Sequence, residues 1–208
     1  MKYFQKITQL KTTYAVSLSL FSLLASTPLL AATQRYEDIA LSNRQELRQL
    51  LSVESSPISS FQSSSQAVDW LAYQSKNLQQ KLPNETLRRN WLRLVHYEAT
   101  RFNLDPDLVL ALIEIESGFN RFALSQVGAT GLMQVMPFWK DLIGQNGDSL
   151  FDVHTNLRYG CIILKHYLET ENYDVARGLA RYNGSLGDST YADLVMNRWQ
   201  AKYRFSKN

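Results

Sequence analysis

The stretch LVLALIEIES, Leu108 to Ser117, is the strongest constraint on how this chain can fold. Leu108, Val109, Leu110, Ala111, Leu112, Ile113 and Ile115 leave almost no polar face, so a helix here has to be surrounded by other elements. Asp105-Pro106 offers a side-chain cap followed by proline at the first helical position, and Gly118 offers a stop. Two acids interrupt the apolar run, Glu114 and Glu116. Burying an ionised carboxylate is costly unless it is paired or put to use. At 3.6 residues per turn Glu116 extends the stripe of Val109, Leu112 and Ile113, while Glu114 points to roughly the opposite side. An apolar-flanked carboxyl at the C-terminal end of a buried helix has its charged form disfavoured, by desolvation and by the partial negative charge of the helix end. A general acid working near neutral pH needs that environment. The residues alone leave a second reading open, a glutamate that pairs with an arginine or caps a backbone group.

The rest of the chain reads as helices joined by short turns. Tyr36–Leu51 has an amphipathic pattern, and Ala67–Leu82 has Trp70, Leu71 and Leu78 as its packing face. Between them Ser52–Gln66 contains eight serines and Pro57, the composition of a linker. Asn84 caps a helix carrying Leu87, Trp91, Leu94 and Val95. After the Glu114/Glu116 helix comes a glycine-bearing turn, QVGATG, and then four further helical segments: GLMQVMPFWKDLI, NLRYGCIILKHYLET, DVARGLARYN and TYADLVMNRWQAKY. No run of alternating strands and no internal repeat stands out. The expected organisation is a signal over 1–32, a helical extension with a Ser-rich linker over 33–83, and an all-α domain over 84–208.

Charge and cysteine content narrow the function. The net charge is +3, but Lys2, Lys6 and Lys11 lie in the first 32 residues, which hold no acid. The remainder has 19 basic and 19 acidic residues, which removes the electrostatic case for nucleic acid. The N-terminus has the layout of an export signal, with lysines, an apolar run from Tyr14 to Leu30, and small residues at Ala31 and Ala32. Leu30 at the −3 position leaves an uncleaved membrane anchor as the alternative to a freely periplasmic protein. The single cysteine, Cys161, sits in an apolar helical segment and reads as core packing, so an exported chain has no internal disulfide. The histidines His96, His154 and His166 are widely spaced and lack metal-ligand companions, and no nucleophile elbow, P-loop or dinucleotide fingerprint occurs. Neither a metal nor a cofactor is expected.

Four blocks in order, ALIEIESGFN, SQVGATGLMQVMP, FDVHTNLRYGCIILKHYL and LARYNGS, resemble the SLT-type lytic transglycosylases, from about Leu104 to Trp199. The resemblance implies an α-helical, lysozyme-like fold, peptidoglycan strands as partner, and no cofactor. It assigns Glu116 as the sole catalytic acid and base. It places Ser117 beside that glutamate, Met133 and Gln134 on the sugar cleft, Tyr182 and Asn183 near the carboxyl, and Tyr191 in a last, looser block. Asp152, Asn156 and Gly160 match a block that holds helix and loop in place. In this family a single glutamate protonates the glycosidic oxygen between N-acetylmuramic acid and N-acetylglucosamine. It then deprotonates the muramoyl C6 hydroxyl, closing a 1,6-anhydro ring. Two other classes stay open, a hydrolytic muramidase on the same fold and a glycan-binding protein without turnover. A monomer is expected, with Thr33–Pro83 either a small cap or a docking segment for a secretion, pilus or conjugation machine. Glu114→Gln is expected to be nearly harmless unless Glu114 holds a structural pair.

Overall fold

A computed structural model describes residues 34–35, 39–52 and 60–206. The export signal, Tyr36 and positions 53–59 of the serine-rich segment lie outside the described residues. Among the described residues eight α-helices follow one another: α1 (Leu41–Ser52), α2 (Ser64–Leu78), α3 (Glu85–Arg101), α4 (Pro106–Ser117), α5 (Phe138–Ile143), α6 (Val153–Thr170), α7 (Val175–Asn183) and α8 (Thr190–Arg198). One π-helical turn, Trp199–Tyr203, continues α8. Among the described residues the sole β-type pairings are two isolated bridges, Leu124 with Thr130 and Thr130 with Val135. The chain is all-α, as its sequence pattern predicts, and no helix among the described residues is long and apolar enough to cross a membrane.

Helix α4 is the axis of the core. Val109, Leu110, Ala111, Leu112 and Ile113 are all completely buried, because α3, α8 and the π-helical turn pack around it. Its ends are set by local chemistry. Asp105 caps the first turn by accepting from the Asp107 N–H, and Gly118 ends the helix in the left-handed conformation at φ +58°. Helices α1 and α2 contribute Leu47, Leu51, Trp70 and Leu78 to the same hydrophobic cluster as α4 and α6.

Two expectations change at the N-terminal side. Helix α2 begins at Ser64 rather than Ala67, because Ser63 accepts the Gln66 N–H and converts the end of the serine run into a cap. The serine segment is also tied down further back: Phe61 stacks on His96 with ring centroids 3.6 Å apart, and Ser60 hydrogen-bonds the same ring at 2.9 Å. Buried between Phe61 and Trp70, His96 is pushed down to a pKa of about 4 and stays neutral.

The segment GLMQVMPFWKDLI departs furthest from its helical reading, since α5 spans Phe138–Ile143 alone. Gly131 has φ +79° and Gln134 has φ +47°, so the residues before α5 form a tight loop. Asn156 on α6 holds that loop from beneath. Its Oδ1 accepts the Met133 N–H at 2.8 Å, and its Nδ2 donates to the carbonyls of Thr130 at 2.8 Å and Leu150 at 2.9 Å. Gly160, one turn further along α6, is where Met133 lands; a Cβ on Gly160 would meet the Met133 sulfur at 2.3 Å. The block expected to hold helix and loop in place does so by one amide and one missing side chain. Replacing Asn156 with leucine leaves three buried backbone groups unsatisfied. The variant should therefore lose about 3 kcal/mol of unfolding free energy in urea titration.

Candidate active site

The side chains singled out in the sequence come from four places. Glu116 and Ser117 end α4, Met133 and Gln134 lie in the loop clamped by Asn156, Tyr182 and Asn183 end α7, and Tyr191 opens α8. Hydrogen bonds join most of them. The Tyr191 hydroxyl donates to Glu116 Oε1 at 2.5 Å, across 75 positions of sequence. The Tyr182 hydroxyl donates to the Met133 carbonyl at 2.7 Å and so ties α7 to the loop. Gln134 turns its Nε2 onto the carbonyls of Gly131 at 3.0 Å and Ala123 at 3.3 Å, leaving Oε1 buried without a partner. Asn183 is buried in the last turn of α7, which Gly184 ends at φ +82°. Ser117 is turned differently from the others: its hydroxyl donates back to the Ile113 carbonyl at 3.2 Å.

Glu116 is the one carboxylic acid among these side chains. It is 1% exposed, and burial pushes its carboxyl from an ordinary 4.5 up to about 8, against the smaller opposing effect of the Tyr191 hydrogen bond. At neutral pH it carries a proton. With Oε1 already accepting from Tyr191 and Oε2 buried without a hydrogen-bond partner, Oε2 is the oxygen left to hold that proton. Burial and the charge of Glu116, in that order, lift the Tyr182 hydroxyl well above its usual range and do the same to Tyr191, so both remain neutral donors.

Glu114, two residues earlier on the same helix, has the opposite surroundings. Lys202 at 2.8 Å, Arg198 at 2.9 Å, Lys81 at 3.5 Å and the Tyr203 hydroxyl converge on its carboxylate. Burial alone would raise its pKa, but the hydrogen bonds from Lys202 and Tyr203 and the charges of Lys202 and Arg198 bring it below the ordinary value. Glu114 is thus an ionised structural anchor for the C-terminal segment, the condition under which its replacement is not harmless. The cations are partly exposed, which weakens each pair, so Glu114→Gln should cost about 2 kcal/mol of stability.

The sequence reading missed one residue at this site. Gln34 is buried, and its Oε1 accepts the Met136 N–H at 3.2 Å from 102 positions away. Its amide also lies beside the Tyr182 hydroxyl. Nothing in the composition or periodicity around position 34 signals that contact.

The profile of the transglycosylase SLT domain family matches residues 93–202 of the chain. Relatives include the membrane-bound lytic murein transglycosylase C of Actinobacillus pleuropneumoniae serotype 5b (strain L20), 45% identical over 53 residues, which are 26% of this chain and 14% of that protein. The protein of the same name from Photorhabdus laumondii is 30% identical over 126 residues, covering 52% of this chain and 35% of its own length. The transglycosylase of Enterobacteria phage PRD1 is 31% identical over 101 residues, 49% of this chain and 37% of the phage protein. The chain therefore spans well under half the length of these relatives. Among solved structures, the 70 kDa soluble lytic transglycosylase of Escherichia coli superposes with a TM-score of 0.40 at 22% identity, covering 74% of this chain and 27% of that one.

The environment of Glu116 has a measurable consequence for stability. The folded protein keeps a proton that the unfolded chain gives up near pH 4.5 and the folded one near 8. The contribution of Glu116 is therefore fully present below pH 4.5 and fades as pH rises toward 8. Urea unfolding of wild type and Glu116→Gln at pH 5, 6 and 7 should show the variant gaining on wild type by about 1.4 kcal/mol per pH unit. A constant gap across that range is incompatible with a buried neutral Glu116.

Proposed function

The chain belongs to the transglycosylase SLT domain family, and on that premise we propose that it is a lytic transglycosylase acting on peptidoglycan. Its reaction is cleavage of the β-1,4 bond between N-acetylmuramic acid and N-acetylglucosamine. The observation that carries this reading is a neutral Glu116 with one oxygen fixed by Tyr191 and the other unpartnered. The influences on its protonation are burial and Tyr191; no second carboxylate acts on it among the described residues.

That arrangement suits a reaction in which one group serves twice. Glu116 Oε2 gives its proton to the glycosidic oxygen as the bond from the muramoyl C1 breaks, and the acetamido group of that sugar supports the cationic carbon. Glu116, now a carboxylate in an apolar setting, takes the proton from the C6 hydroxyl, whose oxygen closes onto C1. The proton count balances and no water is consumed. Most glycosidases use two carboxylates, one of them to activate water or to attack; a hydrolytic muramidase would need such a partner for Glu116. Gln134, Asn183 and Tyr182 are neutral polar groups suited to neutral N-acetylated sugars, with Met133 packed beneath them.

An enzyme with this substrate works in the bacterial envelope, where an export signal would deliver it. We further propose that it opens the wall locally for a secretion, pilus or conjugation apparatus and works as a monomer.

Glu116→Gln should lower fragment release from purified peptidoglycan by about 10³-fold or more, whereas Glu114→Gln should keep wild-type turnover per folded molecule. Mass spectrometry of the released fragments should show 1,6-anhydro-muramoyl ends, lighter by one water than hydrolysis products. Reducing ends instead would make the protein a hydrolase.

A further inference from the structure

The loop that leaves α4 carries apolar surface that the packing of the domain does not use. Phe122 is 66% exposed, and Phe151, in the loop before α6, is 39% exposed. Single exposed apolar side chains are ordinary on a protein surface. These two are not single: their rings meet with centroids 6.2 Å apart, inclined at 44°. Arg121 braces the pair. Its guanidinium lies 4.8 Å from the Phe122 ring centroid and donates to the Phe151 carbonyl at 3.1 Å. Its charge also acts on Asp152, so it needs no further anion.

Both rings sit one residue away from the struts of the loop that carries Met133 and Gln134. Ala123, next to Phe122, offers its carbonyl to the Gly131 N–H at 2.8 Å and to Gln134 Nε2 at 3.3 Å. Leu150, next to Phe151, is held by the Asn156 amide, which also takes the Met133 N–H. Along the chain Phe122 is six residues beyond Glu116, which limits the separation of their backbones to about 20 Å. Two turns shorten that path further: the Asn120 N–H donates to the Ser117 carbonyl, and the Ala123 N–H to the Asn120 carbonyl, each at 3.0 Å.

The size of the patch selects its occupant. Two partly exposed phenylalanines offer roughly 200 Å² of apolar surface. A specific protein interface takes about 800 Å² per partner, so the patch is too small to be one. A pyranose ring is of matching size, and its flat face of C–H groups suits the electron-rich face of an aromatic ring. A polysaccharide also runs on past the bond being cut. We propose that Phe122 and Phe151 form an aromatic platform that binds sugar rings of the glycan strand beyond the disaccharide at Glu116, with Arg121 holding the two rings together. The proposal rests on the lytic transglycosylase reading for its ligand class, but binding at the platform does not need turnover.

The test uses the full-length chain carrying Glu116→Gln, so that sugar is bound and not cut, and compares tri-N-acetylchitotriose with hexa-N-acetylchitohexaose by titration calorimetry. The hexamer should bind about two- to tenfold more tightly than the trimer, the range for one aromatic contact. Adding Phe122→Ala should bring the hexamer down to about the affinity of the trimer, whereas Phe122→Tyr, which keeps a ring, should retain the advantage. No binding of the hexamer, equal affinities for the two lengths, or an advantage that survives both Phe122→Ala and Phe151→Ala would overturn the proposal. Sedimentation with phosphatidylglycerol vesicles that Phe122→Ala abolishes while the hexamer advantage persists would overturn it too, and would make the patch a membrane contact. The platform and the lytic reading fail separately. Anhydro-muramoyl fragments from wild type without a ring-dependent hexamer advantage remove the platform alone, and the advantage without such fragments removes the lytic reading alone.

Discussion

The structure depends on enclosing a helix that has no polar face. Helix α4 can be buried only if other elements surround it, and α3, α8 and the π-helical turn do so. Enclosure on all sides carries a consequence for whatever acids the helix bears. A carboxyl at 1% exposure loses most of its hydration, and without a cation it stays protonated. The raised pKa of Glu116 therefore follows from the packing that makes the domain stable. The site is local, but the desolvation that tunes it is supplied by the whole core.

Where the sequence was informative, it was so through periodicity and capping. The bounds of α4 follow from Asp105, Pro106 and Gly118, and those of α3 from Asn84, each residue found in the role its chemistry suggests. Cys161 is buried in α6, where its apolar surroundings put it. The opposite facing of Glu114 and Glu116 also follows from 3.6 residues per turn, although which cations would meet Glu114 does not. Lys81 reaches it from the turn after α2, Arg198 from the end of α8 and Lys202 from the π-helical turn, contacts that only the tertiary fold creates.

The loop before α5 was not legible, and the reason is physical. Gly-Leu-Met-Gln-Val-Met reads as helix because its side chains are good helix formers and its apolar spacing is compatible. Three hydrogen bonds from Asn156 and the notch at Gly160 override that local preference. They also hold Gln134, a residue with a Cβ, at φ +47° in the left-handed region, a conformation that persists when the surroundings over-determine it. Gln34 was illegible for a different reason: a single long-range hydrogen bond leaves no periodic trace.

The two glutamates on α4 show why one helix end can carry both a charge and a neutral acid. An ionised Glu114 so close in sequence would by itself disfavour a second negative charge and add to the shift at Glu116. The Glu114 carboxylate is instead held by Lys202, Arg198 and Lys81, and its field is largely cancelled where it arises. What remains at Glu116 is desolvation, moderated by Tyr191. Pairs of titratable groups whose environments push their pKa values apart mark a division of roles. Here the division is between an anchor that fixes the C-terminal segment across α4 and an acid left free of electrostatic partners. The anchor bears on the acid only through the fold, because the segment it holds includes α8, and α8 carries the Tyr191 that meets Glu116.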